Sequence, residues 1–277
     1  MRRLVPAVAL ALLTAACGGS SDSGPFGEGA FAILATSDVG VGADRVLAAV
    51  TAPDGDRLAS PDVAVTLRTY PDGDETAVQT VPGTFLWAIP DVSGLYRATF
   101  TFDRPGVWWV EVDPEGGDPL EPVPMNVFAD PRAPGVGDRA PMSESATLAD
   151  TPLDVITSDP EPEPAFYEMT IADAVTSGRP SVIVFATPQF CQTAICGPTL
   201  ERIRDMAPDF PDVDFVHVEV FDLELANGDP PELVPVPAVV EWGLPTEPWI
   251  FVVDRDGIVV GRFEGLVTAD EIAATLG

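Results

Sequence analysis

Two cysteines close together in the sequence, Cys191 and Cys196, are the residues of this chain best suited to chemistry. Two thiols at this spacing can exchange a disulfide with another molecule, form a permanent bridge within a loop, or bind a metal ion. In an exported protein, which the N-terminus indicates below, the first two uses are favoured over the third. Thiol–disulfide exchange is therefore the leading hypothesis, and a structural bridge and metal binding are the alternatives.

The residues after Cys196 indicate how its thiol is positioned. Leu200, Ile203 and Met206 repeat at helical spacing, which predicts a helix that begins close to Cys196. The free amides and the dipole at a helix N-terminus stabilise a thiolate, so Cys196 is predicted to be the more acidic thiol. A bridge to Cys191 requires that residues 192–195 form a turn, because two cysteines five apart in a regular helix are too distant to bond.

Three other residue types could take part in a site. His217 is the only histidine of the chain and lies within an apolar strand pattern, which favours a core histidine over a metal ligand. No metal and no cofactor is therefore predicted. Glu247 could raise the pKa of the thiols by like-charge repulsion. Trp108 and Trp109 should point to opposite faces of one strand, one into the core and one onto the surface.

The N-terminus has the features of an export signal. Arg2 and Arg3 precede an apolar segment at residues 4–13, which is too short to span a bilayer as a helix. The small residues before Cys17 resemble those of a bacterial lipoprotein signal peptide, although Leu13 stands four residues before the cysteine, where three is usual. The resemblance implies cleavage before Cys17, lipid attachment to it, and a location on the extracytoplasmic face of the cell membrane. An ordinary signal peptide that leaves Cys17 free is the alternative.

Lipidation of Cys17 makes a direct prediction about membrane attachment. Cys17→Ser should move the protein from the membrane fraction to the soluble fraction, because the residue that carries the lipid is gone. Fractionation followed by immunoblotting measures this, with Cys191→Ser as the matched control that keeps the anchor. A Cys17→Ser protein that stays with the membrane would contradict the lipid anchor.

The charge of the chain excludes one class of partner. All 14 basic residues are Arg, and 44 acidic residues give a net charge of -30. So negative a surface repels phosphate backbones, which makes nucleic-acid binding improbable. The expected partners are protein thiols or disulfides and, through the lipid, the membrane. The sequence does not specify an oligomeric state.

The pattern of turns and charges divides the chain into five parts. Length, proline content and changes in periodicity set the boundaries. The predicted parts are a signal peptide at 1–16, a lipid anchor and flexible tether at 17–29, a β-sandwich domain at 30–129, a proline-rich acidic linker at 130–164, and a thioredoxin-like domain at 165–277.

The first domain is predicted to be all β. Short alternating or apolar segments are separated by Pro-Asp-Gly and similar turns, at a spacing typical of a β-sandwich. The segment 95–112, two strands around an Asp-Arg-Pro-Gly turn, is similar to small immunoglobulin-like modules of exported bacterial proteins. The resemblance implies an immunoglobulin-like sandwich and nothing about its function.

The second domain combines strands and helices. Residues 181–186 form a continuous apolar run that predicts a strand buried on both faces. Further strands are predicted at 213–220, 249–253 and 258–263. Short helices are predicted at 171–176 and 238–242, and a capping box at Thr268 opens the last helix.

The second domain resembles the thioredoxin superfamily in three local motifs. These are Phe185-Ala-Thr-Pro188 with Cys196-Gly197-Pro198, Pro248 directly before a buried strand, and the hairpin ending Val253-Asp-Arg-Asp-Gly-Ile258. The resemblance implies an α/β thioredoxin-like fold, thiol–disulfide exchange, and a cis Pro248 that faces the cysteine loop and contacts the substrate.

The cysteine motif departs from that of thioredoxins. Thr199 stands where thioredoxins have their second cysteine, and the partner thiol lies upstream at Cys191. The resemblance implies that Cys196 attacks and Cys191 resolves, and the order of the loop leaves the reverse assignment open. A scaffold lipoprotein with a structural disulfide and a copper-handling chaperone remain the alternative functions.

Overall fold

The computed structural model describes residues 24–74, 76–191 and 193–276. The predicted signal peptide, Cys17 and most of the tether lie outside the described residues.

The first half of the described chain consists of nine strands. In chain order these are β1 Phe31–Leu34, β2 Val39–Gly40, β3 Gly42–Thr51, β4 Val65–Pro71, β5 Gln79–Pro82, β6 Thr84–Ile89, β7 Ser93–Phe102, β8 Gly106–Pro114 and β9 Val123–Phe128. They form one sheet in the order β1-β3-β7-β6 and a second in the order β2-β9-β8-β4-β5.

The two sheets enclose a common apolar core and so form a β-sandwich. Val46 and Phe100 of the first sheet pack in one cluster with Leu67 and Val110 of the second. Alternation along the strands produces this arrangement, because successive side chains point to opposite faces. Trp108 lies in the core and is 2% exposed, whereas Trp109 lies at the surface and its indole N–H donates to Asp72. This confirms the prediction that the two side chains point to opposite faces of one strand.

The residues predicted as a linker lie against the rest of the molecule. The Gly137 amide donates to the Val259 carbonyl at 2.8 Å, and the Ala140 amide donates to the Gly257 carbonyl at 2.9 Å. Ala133 and Ala140 are buried in the core of the C-terminal half.

The second half contains four strands and six α-helices within the described residues. The strands are β10 Ser181–Ala186, β11 Asp214–Glu219, β12 Trp249–Val253 and β13 Val259–Glu264. The helices are α1 Leu153–Ile156, α2 Ile171–Thr176, α3 Cys196–Met206, α4 Leu223–Ala226, α5 Pro237–Glu241 and α6 Ala269–Leu276. The predicted capping box of α6 is confirmed by reciprocal bonds between Thr268 and Glu271.

The four strands form one mixed sheet in the order β11-β10-β12-β13. Strands β10 and β11 are parallel, whereas β10–β12 and β12–β13 are antiparallel. Strand β10 is buried along its whole length, as its apolar run predicts. Separate apolar clusters cover the two faces of the sheet, one around Trp242 and Phe251 and one around Leu200 and Ile250.

The prediction of an α/β thioredoxin-like fold is wrong. The described part of the chain has more strand than helix, with 34% of its residues in strands and 18% in helices. The helices are short: even α3, the longest described helix, has 11 residues and ends directly before the proline-containing segment Ala207–Asp209. Of the three strand pairings in the second-half sheet, only β10–β11 is parallel, and the other two are antiparallel.

Buried charges and apolar side chains join the two halves. Asp38 accepts from the Arg132 and Ala133 amides and from the Arg262 guanidinium, each at 2.9 Å. Glu271 of α6 pairs with Arg45 and Arg97 of the sandwich. An apolar cluster combines sandwich residues with two from the second half: Leu47, Leu86, Ala88, Leu95, Ile195 and Leu266.

Candidate thiol site

The two cysteines lie in the loop between β10 and α3. Strand β10 ends at Ala186, and α3 begins at Cys196 itself. The Ala194 amide donates to the Cys191 carbonyl at 3.4 Å, and Ala194 has a positive φ of 59°. The described part of this segment is therefore turned, as a close approach of the two thiols requires.

The two thiols are free and have different surroundings. Cys196 is fully buried, whereas Cys191 is partly exposed. The Cys196 amide donates to the Cys191 sulfur at 3.4 Å, and the Thr193 hydroxyl lies 3.4 Å from the same sulfur. The free amide at the start of α3, that of Cys196, therefore donates to the sulfur of Cys191.

These surroundings make Cys191 the more acidic thiol. The Cys196 thiol, hydrogen-bonded to the Cys191 sulfur, lowers the pKa of Cys191 from 9.0 to about 5, and Thr193 contributes in the same direction. The same bond, followed by burial and by the negative charge on Cys191, raises the pKa of Cys196 above its ordinary value. The prediction that Cys196 is the more acidic thiol is wrong, because both its thiol and its amide stabilise the Cys191 thiolate while its own side chain is buried.

Pro248 lies at the end of the sheet from which the cysteine loop departs. Strand β12 begins at Trp249, which pairs with Phe185, so Pro248 and Ala186 continue the two strands side by side. The Glu247–Pro248 peptide bond is cis, which confirms that prediction. The charge of Glu247 contributes to the raised pKa of Cys196. A contact between Pro248 and a substrate stays a prediction.

His217 belongs to the core beneath the loop. Its Nδ1 lies 2.7 Å from the Tyr167 hydroxyl, and its Nε2 lies 3.0 Å from the carbonyl of Ala186, the last residue of β10. Burial lowers the pKa of His217, which favours the neutral ring. With both nitrogens in hydrogen bonds, the ring fixes the carbonyl from which the cysteine loop begins.

Sequence reasoning missed one buried acid near the loop. Glu219 of β11 is 4% exposed, and its Oε2 accepts from the Ser158 amide and hydroxyl at 2.8 and 2.7 Å. The Ser158 hydroxyl in turn accepts from the Gln189 amide at 3.2 Å. The available signal was an acid between two valines, Val218 and Val220, in a strand pattern where a buried charge needs a specific partner.

A cavity of about 370 Å³ lies beside this acid. His217, Glu219 and Phe221 line one side, and Val155 and Ile156 line another. The Phe221 ring lies 6.3 Å from the ring of Phe190, which directly precedes Cys191. The cavity therefore adjoins the cysteine loop.

No protein-family model and no curated protein matches this chain. Among solved structures, the chain is similar to the Lin-41 filamin domain, with 14% identity, a TM-score of 0.24, and coverage of 39% of this chain and 100% of that one. A hypothetical protein from Pyrococcus horikoshii has 13% identity and a TM-score of 0.24, covering 34% and 87%. A metagenome-derived glycoside hydrolase family 9 endoglucanase has 18% identity and a TM-score of 0.24, covering 45% and 27%. Likenesses this distant carry no functional argument.

The described residues contain neither a cluster of metal ligands nor a membrane-spanning helix. Within residues 24–74, 76–191 and 193–276, no three His, Cys, Asp or Glu side chains are grouped so that they could hold a metal ion. None of the helices in the described part of the chain has the length and hydrophobicity to cross a membrane.

Proposed function

We propose that this protein carries out thiol–disulfide exchange through Cys191 and Cys196. The observation that supports this most is the asymmetry of the pair. One thiol is partly exposed, with a pKa lowered to about 5, and its neighbour is buried with a raised pKa. Attack on a disulfide requires a thiolate that the substrate can reach, and Cys191 meets both conditions at neutral pH.

The proposed reaction has two steps. The Cys191 thiolate attacks one sulfur of a substrate disulfide, which forms a mixed disulfide and releases the other half as a thiolate. The Cys196 sulfur then attacks the Cys191 sulfur, its proton passes to the departing thiolate, and a Cys191–Cys196 disulfide remains. Two electrons pass from the protein dithiol to the substrate.

The thiolate of Cys191 sets the order of these steps through its effect on Cys196. While Cys191 is a thiolate, its charge and its hydrogen bond keep the pKa of Cys196 high. Formation of the mixed disulfide removes that charge. The pKa of Cys196 then falls, and its sulfur becomes nucleophilic when it is needed for the second step.

Single-cysteine variants test the proposed function. Reduced Cys196→Ser, in a Cys17→Ser background, should form a stable mixed disulfide with hydroxyethyl disulfide, because the resolving sulfur is absent. Cys191→Ser in the same background is the matched control and should form little adduct, because Cys196 is fully buried. Intact-protein mass spectrometry after an acid quench measures both. If neither variant forms the mixed disulfide, the proposal of thiol–disulfide exchange is contradicted.

The same proposal includes a location. The apolar segment at residues 4–13 and the Gly/Ser-rich residues after Cys17 support a lipid-anchored protein on the extracytoplasmic face. In that compartment the supply of disulfide substrates is greater than in the cytosol.

A further inference from the structure

The carboxylates that line the cavity beside the cysteine loop make its wall negatively charged. Its lining includes four acids, Glu144, Glu219, Asp222 and Glu224, and contains no Arg among the described residues. Apolar side chains such as Val155, Ile156 and Leu223 form much of the remaining wall. A negative rim over an apolar wall suits a ligand that carries a cation on a short hydrocarbon chain.

Glu219 is an independent sign of such a ligand. The residue is 4% exposed, and its Oε1 has no hydrogen-bond partner among the described residues, while Oε2 is held by Ser158. Arg204, a nearby cation, forms ion pairs with Asp159 and Glu161. A buried carboxylate without a counter-charge is costly, and a cation in the cavity would offset that cost.

Two contacts connect the cavity with the reactive thiol. The ring of Phe221, in the cavity wall, packs edge-on against Phe190, the residue before Cys191. Ser158, which holds the Glu219 carboxylate, also accepts from the amide of Gln189. A group bound in the cavity therefore lies next to the segment that carries Cys191.

We propose that this cavity binds the ammonium group of a substrate whose disulfide lies close to that cation. The inference rests on the proposed function and adds a substrate class to it: disulfides flanked by a primary amine, either in a small aminothiol disulfide or in a polypeptide with Lys beside its cysteine. The ammonium pairs with Glu219, the hydrocarbon chain contacts the apolar wall, and the disulfide is presented to Cys191. The bonds formed and broken are those of the exchange reaction above, with the substrate disulfide as the oxidant.

Single-turnover exchange with matched disulfides tests this inference. Reduced full-length protein in a Cys17→Ser background is mixed at pH 7 with cystamine, which is dicationic at that pH, or with neutral hydroxyethyl disulfide. The two probes have the same two-carbon spacing between sulfur and terminal group. Wild type should react faster with cystamine, and Glu219→Gln should lower the ratio of the cystamine rate to the hydroxyethyl disulfide rate about fivefold to tenfold.

A remote charge change provides the control. Glu121→Gln removes the same charge from an exposed position on the sandwich and should change that ratio less than about 1.5-fold, because long-range attraction is screened by salt. An equal decrease in both variants would overturn the inference, since general attraction to a chain of net charge -30 would then explain the preference.

A competition measurement keeps the inference testable if Glu219→Gln does not fold. n-Butylammonium should slow the reaction of wild type with cystamine, and n-butanol at the same concentration should not. If n-butylammonium and n-butanol have the same effect on the rate, the cavity does not bind an ammonium group and the inference is overturned.

Paired peptides distinguish the two substrate sources. Disulfide-linked peptides with Lys beside the cysteine are compared with the same peptides carrying norleucine. A Glu219-dependent preference for Lys identifies polypeptide substrates, and a preference confined to cystamine identifies small aminothiols. If neither probe shows a preference while hydroxyethyl disulfide still reacts, the inference fails and the proposed function stands. If hydroxyethyl disulfide does not react either, the proposed function fails.

Discussion

Reduced protein in a Cys17→Ser background is expected to react with iodoacetamide once per chain at pH 7, at Cys191. The pKa of Cys191, lowered to about 5, makes this thiol almost fully ionised at pH 7, whereas Cys196 is buried and its pKa is raised. Cys191→Ser should therefore be alkylated at least about 100-fold more slowly than Cys196→Ser. Timed quenching followed by peptide mass spectrometry gives both rates.

The pH dependence of alkylation tests the cause of this difference. In the wild type the rate at Cys191 should fall as pH drops through about 5, because the thiolate is protonated there. Cys196→Ala removes the thiol whose hydrogen bond contributes most to the lowered pKa, so the midpoint should move to higher pH. Faster alkylation of Cys196 than of Cys191 would exchange the two roles, and slow alkylation of both would favour a structural disulfide.

Asp38→Ala is expected to cost about 3–5 kcal/mol in the free energy of unfolding. Asp38 is 3% exposed and accepts from the guanidinium of Arg262 and from two backbone amides. Its removal leaves the largely buried Arg262 without this carboxylate and two amides without their acceptor. Urea denaturation followed by circular dichroism measures the change.

An exposed ion pair gives the control for this prediction. Asp103 and Arg104 lie 3.6 Å apart with 71% and 55% of their side-chain surfaces exposed. Asp103→Ala should therefore cost less than about 1 kcal/mol. Similar losses for Asp38→Ala and Asp103→Ala would show that the contact between the two halves of the molecule contributes little to stability.

Local features of the fold were predictable from the sequence because they depend on neighbouring residues. The apolar run at 181–186 predicted β10, alternation predicted the opposite placement of Trp108 and Trp109, and the spacing of Thr268 and Glu271 predicted the start of α6. The β-sandwich of the first half was predictable in this way, but the fold class of the second half was not. Resemblance of short motifs implied an α/β fold, whereas the chain is dominated by strands in three sheets.

The candidate site, too, was only partly predictable from the sequence. The sequence identified both cysteines, but the direction in which each side chain points depends on the turn at Ala194 and on packing against the core. Helix position alone predicted an acidic Cys196, and the hydrogen bond with Cys191, followed by burial, raises the pKa of Cys196 instead. Glu219 and Ser158 meet across 61 positions, and local pattern carries no information on such a pair.

Redox titration of the two thiols distinguishes a pair that exchanges disulfides from a permanent structural bridge. Full-length protein in a Cys17→Ser background is equilibrated in a series of glutathione buffers, quenched with acid, and assayed for the Cys191–Cys196 disulfide by mass spectrometry. The Cys196 thiol, together with the hydroxyl and amide contacts, favours the Cys191 thiolate and so stabilises the reduced state, which makes the disulfide easier to reduce. A pair that exchanges disulfides should show a reversible transition at a potential above about −300 mV. A disulfide that stays oxidised to potentials below about −300 mV, or a failure of the two thiols to bridge at all, would contradict the proposed exchange.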